Sequence, residues 1–141
     1  MKELKADNYP SYMEGTARRY TPKILYVEDF PAQRKLWVDA LELNGFEVTT
    51  ANDGAEAVEK ARSWGPDLIL MDLLMPKMDG VEAINVIRAE EMMRDVPIIT
   101  ISGWVEPRYR ERALAAGADD HLVKPISLNE LLAAIQRLLK V

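Results

Sequence analysis

A chain of 141 residues, 48% hydrophobic and 29% charged, is long enough to bury the core of one domain and too apolar for a disordered protein. Its net charge of −5 argues against a nucleic-acid surface, and the absence of cysteine excludes a disulfide framework, a thiolate zinc site and cysteine catalysis. The single histidine, His121, is too little for a multi-histidine metal site, and no apolar run approaches the roughly 20 residues of a membrane span.

Residues 1–22 are polar and irregular, broken by Pro10, Gly15 and Pro22, and read as a flexible arm that Tyr9, Tyr12 or Tyr20 can dock. Met1 to Asp7 carries no apolar signal-peptide core, so a cytoplasmic address is the default expectation. From Lys23 the pattern changes. Ile24-Leu25-Tyr26-Val27 is a short buried strand ending in acids. Leu36, Trp37, Ala40, Leu41 and Leu43 recur at helical spacing, and Asn44-Gly45 stops that helix. Phe46 to Thr50 alternates like a half-exposed strand, Asn52-Asp53-Gly54 is a turn, and Ala55 to Trp64 is a helix halted by Gly65-Pro66.

Leu68 to Met71 is a second apolar strand, again ending on an acid, Asp72. A loop bracketed by Pro76 and Gly80 precedes a third helix marked by Val81, Ile84, Val86 and Ile87. Pro97 to Ile101 is a strand followed by Ser102-Gly103, and Pro107 opens a helix that runs to Ala116 before Gly117. Its basic run, Arg108-Tyr109-Arg110-Glu111-Arg112, reads as a solvated helix face rather than a binding patch. His121-Leu122-Val123 is a last short strand before Lys124-Pro125. Ser127-Leu128-Asn129-Glu130 is a capping box, and Leu131, Leu132, Ile135, Leu138 and Leu139 supply the stripe of the fifth helix.

Five strands alternating with five helices, three strands apolar throughout, predict a doubly wound α/β fold with a five-stranded parallel sheet covered on both faces. Ligands in such folds bind beyond the carboxyl ends of the strands. Those ends carry Glu28 and Asp29, Asp72, Ser102 and Lys124. Each alone has an ordinary explanation as a cap, turn or loop residue; their recurrence at four strand ends does not. Two carboxylates about 4 Å apart repel by roughly 4 kcal/mol at an effective dielectric near 20, so the cluster needs a divalent cation, the Lys124 ammonium, or both. Oxygen ligands without nitrogen or sulfur suit Mg²⁺ (magnesium). Asp72 is then a candidate nucleophile toward phosphorus, with the metal and Lys124 neutralising phosphoryl oxygens and Ser102 donating a hydrogen bond.

Residues 23–141 resemble the receiver domain of bacterial response regulators from end to end. The resemblance rests on Ile24 to Asp29, Asp72-Leu73-Leu74-Met75-Pro76-Lys77-Met78-Asp79-Gly80, Pro97 to Gly103, and Gly117-Ala118-Asp119-Asp120 through Lys124-Pro125. It implies a flavodoxin-like strand order 2-1-3-4-5, Asp72 as phosphoacceptor, Glu28 and Asp29 as the acids around Mg²⁺, and the backbone carbonyl of Leu74 as a further metal ligand. Ser102 matches the family's switch hydroxyl and Lys124 its lysine, with a cis Lys124-Pro125 bond. The implied function is a two-state switch rather than an enzyme: a histidine kinase or histidine phosphotransfer protein phosphorylates Asp72, and the surface of the fourth helix, fifth strand and fifth helix is remodelled for a downstream protein or a fused output domain. A phosphorylation-linked homodimer through the fourth and fifth helices, near Tyr109, Arg112 and Arg137, belongs to the same picture; direct nucleic-acid or membrane binding does not.

Two departures individualise the chain. His121 stands where the family's rotating aromatic is Tyr or Phe, and is either a ring that still swings, with protonation then coupled to phosphorylation, or a surface residue at a strand end. Leu74 and Trp104 occupy the positions that tune loss of the phosphoryl group; both are bulky and apolar, which implies a long-lived acyl phosphate. Three rival readings make different demands on the residues. A haloacid dehalogenase-like phosphohydrolase needs a second Asp where Leu74 stands. A flavodoxin-like flavin binder needs a Gly- and hydroxyl-rich loop where Glu28-Asp29-Phe30-Pro31 stands. A receiver-like interaction module that is never phosphorylated generally lacks the acids or the lysine that this chain retains.

Overall fold

Apolar strands and helices alternate as the hydropathy pattern predicts. The structure is a computed structural model that describes residues 20–73 and 79–139. The elements are β1 (Lys23–Val27), α1 (Pro31–Leu43), β2 (Glu47–Ala51), α2 (Gly54–Trp64), β3 (Leu68–Asp72), α3 (Asp79–Ala89), β4 (Ile98–Ser102), α4 (Pro107–Ala116), β5 (Asp120–Val123) and α5 (Leu128–Leu139), with one 3-10 turn at Glu91–Met93. The strands form one parallel sheet in the order β2-β1-β3-β4-β5. The chain leaves β1 toward one edge and returns to β3 on the other side, so strand order reverses between β1 and β3. A crevice at the carboxyl ends of those two strands follows from that topology.

The sheet separates two apolar layers. Ile24, Tyr26, Leu70 and Ile101 pack with Leu41 of α1 and Leu131 and Ile135 of α5. Leu25, Ile69, Met71 and Ile98 pack with Ala57 of α2, Ile84 and Ile87 of α3 and Ala113 of α4. Strands β1, β3 and β4 are apolar on both sides because both sides are covered, and each fully buried Leu or Ile contributes about 1.5–3 kcal/mol. The edge strand β2 does not show the alternation read from its sequence: burial instead deepens along it, from exposed Glu47 through half-buried Val48, Thr49 and Thr50 to buried Ala51.

Helix ends follow local chemistry. The Asp53 side chain accepts the Glu56 N–H at 2.8 Å, and Gly65 ends α2 at a φ of 66°, a left-handed conformation that favours glycine. The capping box before α5 forms reciprocally: Glu130 N–H donates to Ser127 Oγ at 3.0 Å and Ser127 N–H to Glu130 Oε1 at 3.1 Å. The helical stripes are less faithful. Leu36 and Leu43 of α1 are 60% and 74% exposed, and Val86 of α3 is 43% exposed, because positions two or five apart on a helix lie on opposite faces, which turns these three away from buried Leu41 and Ile84. In α1 only Leu41 is fully buried, with Trp37 and Val38 half-buried against the same apolar layer. The expected flexible arm lies outside the described residues up to position 19, and so do Leu74 and Pro76 of the loop after β3.

Candidate functional site

Asp72 ends β3, and its side chain is 1% exposed. Alternation along β3 turns it to the face that carries Leu68 and Leu70, the face covered by α1 and α5. One carboxylate oxygen, Oδ2, lies 2.8 Å from the Lys124 ammonium. The other, Oδ1, is buried and has no hydrogen-bond partner among the described residues. Burial first, and then the neighbouring Glu28 carboxylate, raise the Asp72 pKa to about 7 against the opposing pull of Lys124. A buried acceptor held this way favours a cation or a proton at Oδ1.

Glu28 follows β1 and is buried too. Tyr26 donates its hydroxyl to Oε1 at 3.0 Å and the Phe30 N–H donates to Oε2 at 3.1 Å, so both oxygens are occupied as acceptors and the side chain is fixed. Arg34 of α1 donates to the Glu28 carbonyl at 3.0 Å and also to the Asn52 side chain, tying the β1–α1 turn to the β2–α2 turn. Asp29 is exposed at the next position. Among the described residues the acids form no preassembled cage of three or more ligands. An all-oxygen donor set with one orphaned carboxylate oxygen nevertheless suits a hard cation that keeps most of its waters.

Lys124 follows β5. Its N–H donates to the Ser102 carbonyl at 2.8 Å, which continues the β4–β5 ladder and aims the lysine across the sheet edge toward β3. The Lys124–Pro125 peptide is cis. Ser102 is buried at the end of β4, and its Oγ accepts the Trp104 N–H at 2.9 Å, which leaves the hydroxyl proton free to be donated. Ser102 and Asp72 share the carboxyl edge of the sheet but not a face, because Ile98 of β4 packs on the α2–α4 side.

His121 is neither exposed nor at a strand end. It sits inside β5, 4% exposed, opposite Thr100 in the register, with Nδ1 2.7 Å from Thr100 Oγ1 and Nε2 buried without a partner. Arg110 of α4 donates to the His121 carbonyl at 3.2 Å, and Asp120, paired with Arg137 of α5, accepts the His121 N–H at 2.8 Å. Burial, reinforced by the Arg110 guanidinium and opposed by Asp120, lowers the imidazole pKa below its usual value. The unfolded chain therefore binds a proton near pH 6.5 that the folded chain refuses, and stability is lost as pH falls through that range. Urea unfolding across the range is expected to show wild type losing stability relative to His121→Phe, with a limiting slope of about 1.4 kcal/mol per pH unit. Taking the difference between the two proteins removes the opposite slope contributed by Asp72. Parallel pH profiles for the two would show that the ring is not held neutral.

Spacing alone did not single out Tyr26, Thr100, Arg34 or Arg88. Tyr26 lies two residues before Glu28 on one strand, which hints at a shared face. Thr100 is the one hydroxyl inside an apolar run, but its partner is set by strand register, which no local pattern encodes.

The comparisons agree with this fold. The sequence model of the response regulator receiver domain matches residues 24–136, so the chain belongs to that family. It is 42% identical over 120 residues to the transcriptional regulatory protein PrrA of Mycobacterium leprae, covering 85% of this chain and 51% of that protein. It is 37% identical over 118 residues to the phosphate regulon transcriptional regulatory protein PhoB of Escherichia coli, covering 84% of this chain and 52% of that protein. The chain thus spans about half the length of these relatives. Among solved structures, the receiver domain of a sensor histidine kinase from Pseudomonas aeruginosa, with magnesium coordinated in its active-site cleft, superposes with a TM-score of 0.78 at 38% identity, over 85% of this chain and 98% of that one. The chemotaxis response regulator CheY4 of Vibrio cholerae gives 0.77 at 34% identity, over 84% and 98%. The protein is a receiver domain of two-component response regulators, with the flavodoxin-like strand order 2-1-3-4-5.

Proposed function

We propose that Asp72 of this receiver accepts a phosphoryl group from a histidine kinase or histidine phosphotransfer protein, and that the domain's fourth helix, fifth strand and fifth helix carry the signal onward. The observation that carries the reading is a buried Asp72 with one oxygen on Lys124 and the other without a partner. A Mg²⁺ ion held by Glu28, Asp29, Asp72 and the backbone carbonyl of Leu74 supplies charge neutralisation to the transfer. Lys124 holds Asp72 in place and meets a phosphoryl oxygen. Ser102 offers its free hydroxyl proton. His121 is the switch ring, coupled through Thr100 and Arg110 to β4 and α4. Leu74 and Trp104 offer no group to orient water, which supports a long-lived acyl phosphate.

In this reading residues 23–141 are the receiver and 1–22 an arm, and self-catalysed phosphoryl uptake and slow loss are the domain's only chemistry. The relatives named as transcriptional regulators support a downstream partner or fused output domain that contacts DNA in its place. A phosphorylation-linked homodimer belongs to the same proposal. A cytoplasmic location belongs to the same proposal; among the described residues no helix is long and apolar enough to cross a membrane.

Intact-protein mass spectrometry after incubation with Mg²⁺ and acetyl phosphate tests the reading. One added phosphoryl group is expected, dependent on the metal, absent from Asp72→Asn and persisting well beyond minutes. No adduct under any metal condition would favour an interaction module that phosphorylation does not regulate. Decay within minutes would contradict the roles given to Leu74 and Trp104 alone.

A further inference from the structure

A cleft of about 530 Å³ opens at the amino-terminal edge of the sheet, opposite the edge that carries Asp72. Pro66, just before β3, and Met93 and Val96, just before β4, form apolar walls, and Met92 beside them is almost fully exposed. Arg62 of α2 and Glu90 also line the cleft and pair with each other at 2.7 Å, while Glu91 leaves two acids against one arginine in the lining. An exposed methionine next to a buried one makes a soft, adaptable surface for an aromatic ring.

The chain enters the domain at this same edge. The Lys23 N–H donates to Asp67 Oδ2 at 2.8 Å. Its ammonium donates to the Trp64 carbonyl at 2.6 Å and lies 4.8 Å from the centre of the Trp64 ring. The Tyr20 hydroxyl is hydrogen-bonded to Asp67. Residues 20–23 are thus fastened to the segment 64–67, whose Gly65 and Pro66 line the cleft.

We propose that this cleft seats the chain's own amino-terminal segment, with the Tyr9 and Tyr12 rings against Met92, Met93 and Val96, and Arg18-Arg19 facing Glu90 and Glu91. The sequence upstream of the anchor has the chemistry for it: Tyr9-Pro10-Ser11-Tyr12-Met13 is apolar and aromatic, and Arg18-Arg19 adjoins Tyr20. Pro10 biases Tyr9 toward extended backbone, which lowers the cost of laying the segment in a groove. From Tyr20 back to Tyr12 the chain spans up to about 26 Å at roughly 3.3 Å per residue, so reach from an anchor beside Pro66 is no obstacle. Seated there, the segment covers Met92 and leaves the phosphoacceptor edge open. The inference does not depend on the role of Asp72.

Nuclear magnetic resonance of the full chain, labelled at its methionine methyl groups, tests the proposal. Nuclear Overhauser contacts are expected from the Met92 and Met93 methyls to tyrosine ring protons, with ring-current shifts of both methyl signals. Contacts and shifts are expected to disappear in Tyr9→Ala/Tyr12→Ala, a double variant whose changes precede β1 and spare the core. Glu91→Lys, an exposed substitution, is expected to lower the docked-to-free ratio about 2- to 5-fold by repelling Arg18-Arg19. A mixture of labelled and unlabelled chains separates contacts within a chain from contacts between copies. Methyl signals that are the same in wild type and the double variant would overturn the proposal. So would contacts found only between copies, or a docked fraction indifferent to Glu91→Lys.

Discussion

Arg88→Ala is expected to lower the stability of the domain by about 2–4 kcal/mol, a large share of the total for a single domain. The Arg88 guanidinium, near the end of α3, closes the amino-terminal end of the fold. Its Nε and Nη2 donate to the Gly117 carbonyl at 3.0 and 2.8 Å, and Nη1 donates to the carbonyls of Arg94 and Val96 at 2.9 and 2.7 Å. Nη2 also meets Asp119 Oδ2 at 3.0 Å, the same oxygen that accepts the Ile98 N–H at 2.9 Å. One side chain thus joins α3, the segment entering β4, the end of α4 and the start of β5. Removing it strands several half-buried carbonyls and an acid, and unsatisfied acceptors cost more than the bonds they replace. Arg88→Lys is expected to recover little, because an ammonium cannot reproduce the planar fork. Gly117 belongs to the same joint. Its φ of 123° disfavours any side chain, and a Cβ there lies 2.8 Å from Arg88 Cγ. Urea unfolding measures the effect; a loss below about 1 kcal/mol would mean that water satisfies these carbonyls without help.

Magnesium is expected to stabilise the wild-type protein by about 2.7 kcal/mol at a hundredfold excess over its dissociation constant, and Asp72→Asn to show almost none of that gain. Without the ion, Asp72 is a buried acid whose pKa is raised to about 7, chiefly by desolvation and then by Glu28. The metal must bind the ionised form. Below about pH 7 it competes with a proton on Asp72, so the stabilisation is expected to shrink as pH falls and to be full above that value. The raised pKa has a second consequence in the metal-free protein. The folded state holds a proton that the unfolded chain releases near pH 4, so this group's contribution to stability declines as pH rises toward 7. Asp72→Asn removes that decline. Thermal melts of both proteins, with and without magnesium, on either side of that pH separate the effects. Equal magnesium shifts in wild type and Asp72→Asn would place the ion elsewhere.

Much of the candidate site is legible in the sequence because strand ends leave a local signature. An apolar run as short as Leu68–Met71, preceded by Gly65-Pro66, fits a covered strand, and the acid that stops it then stands at the sheet edge. The same logic exposes Glu28 at the end of β1, Ser102 at the end of β4 and Lys124 after β5. Caps such as Asp53 and the Ser127–Glu130 box are equally local, since donor and acceptor lie within one helical turn.

What crosses between elements was decided only by folding. Which face α1 turns to the sheet buries Leu41 and leaves Leu36 and Leu43, on the opposite side of the helix, exposed. His121 reads as a strand-end ring until register sets it against Thr100 and burial leaves Nε2 without a partner. Arg88 looks like an ordinary helix-surface arginine until the carbonyls of Met93, Arg94, Val96 and the distant Gly117 converge on it. The sequence by itself determined the elements, their order and the chemical groups delivered to one edge, because those follow from hydropathy and turn chemistry within a few residues. Tertiary structure alone decided which groups face each other, which carboxylate oxygen is left without a partner and which apolar side chains line a cleft, because register and helix packing depend on residues far apart in the chain.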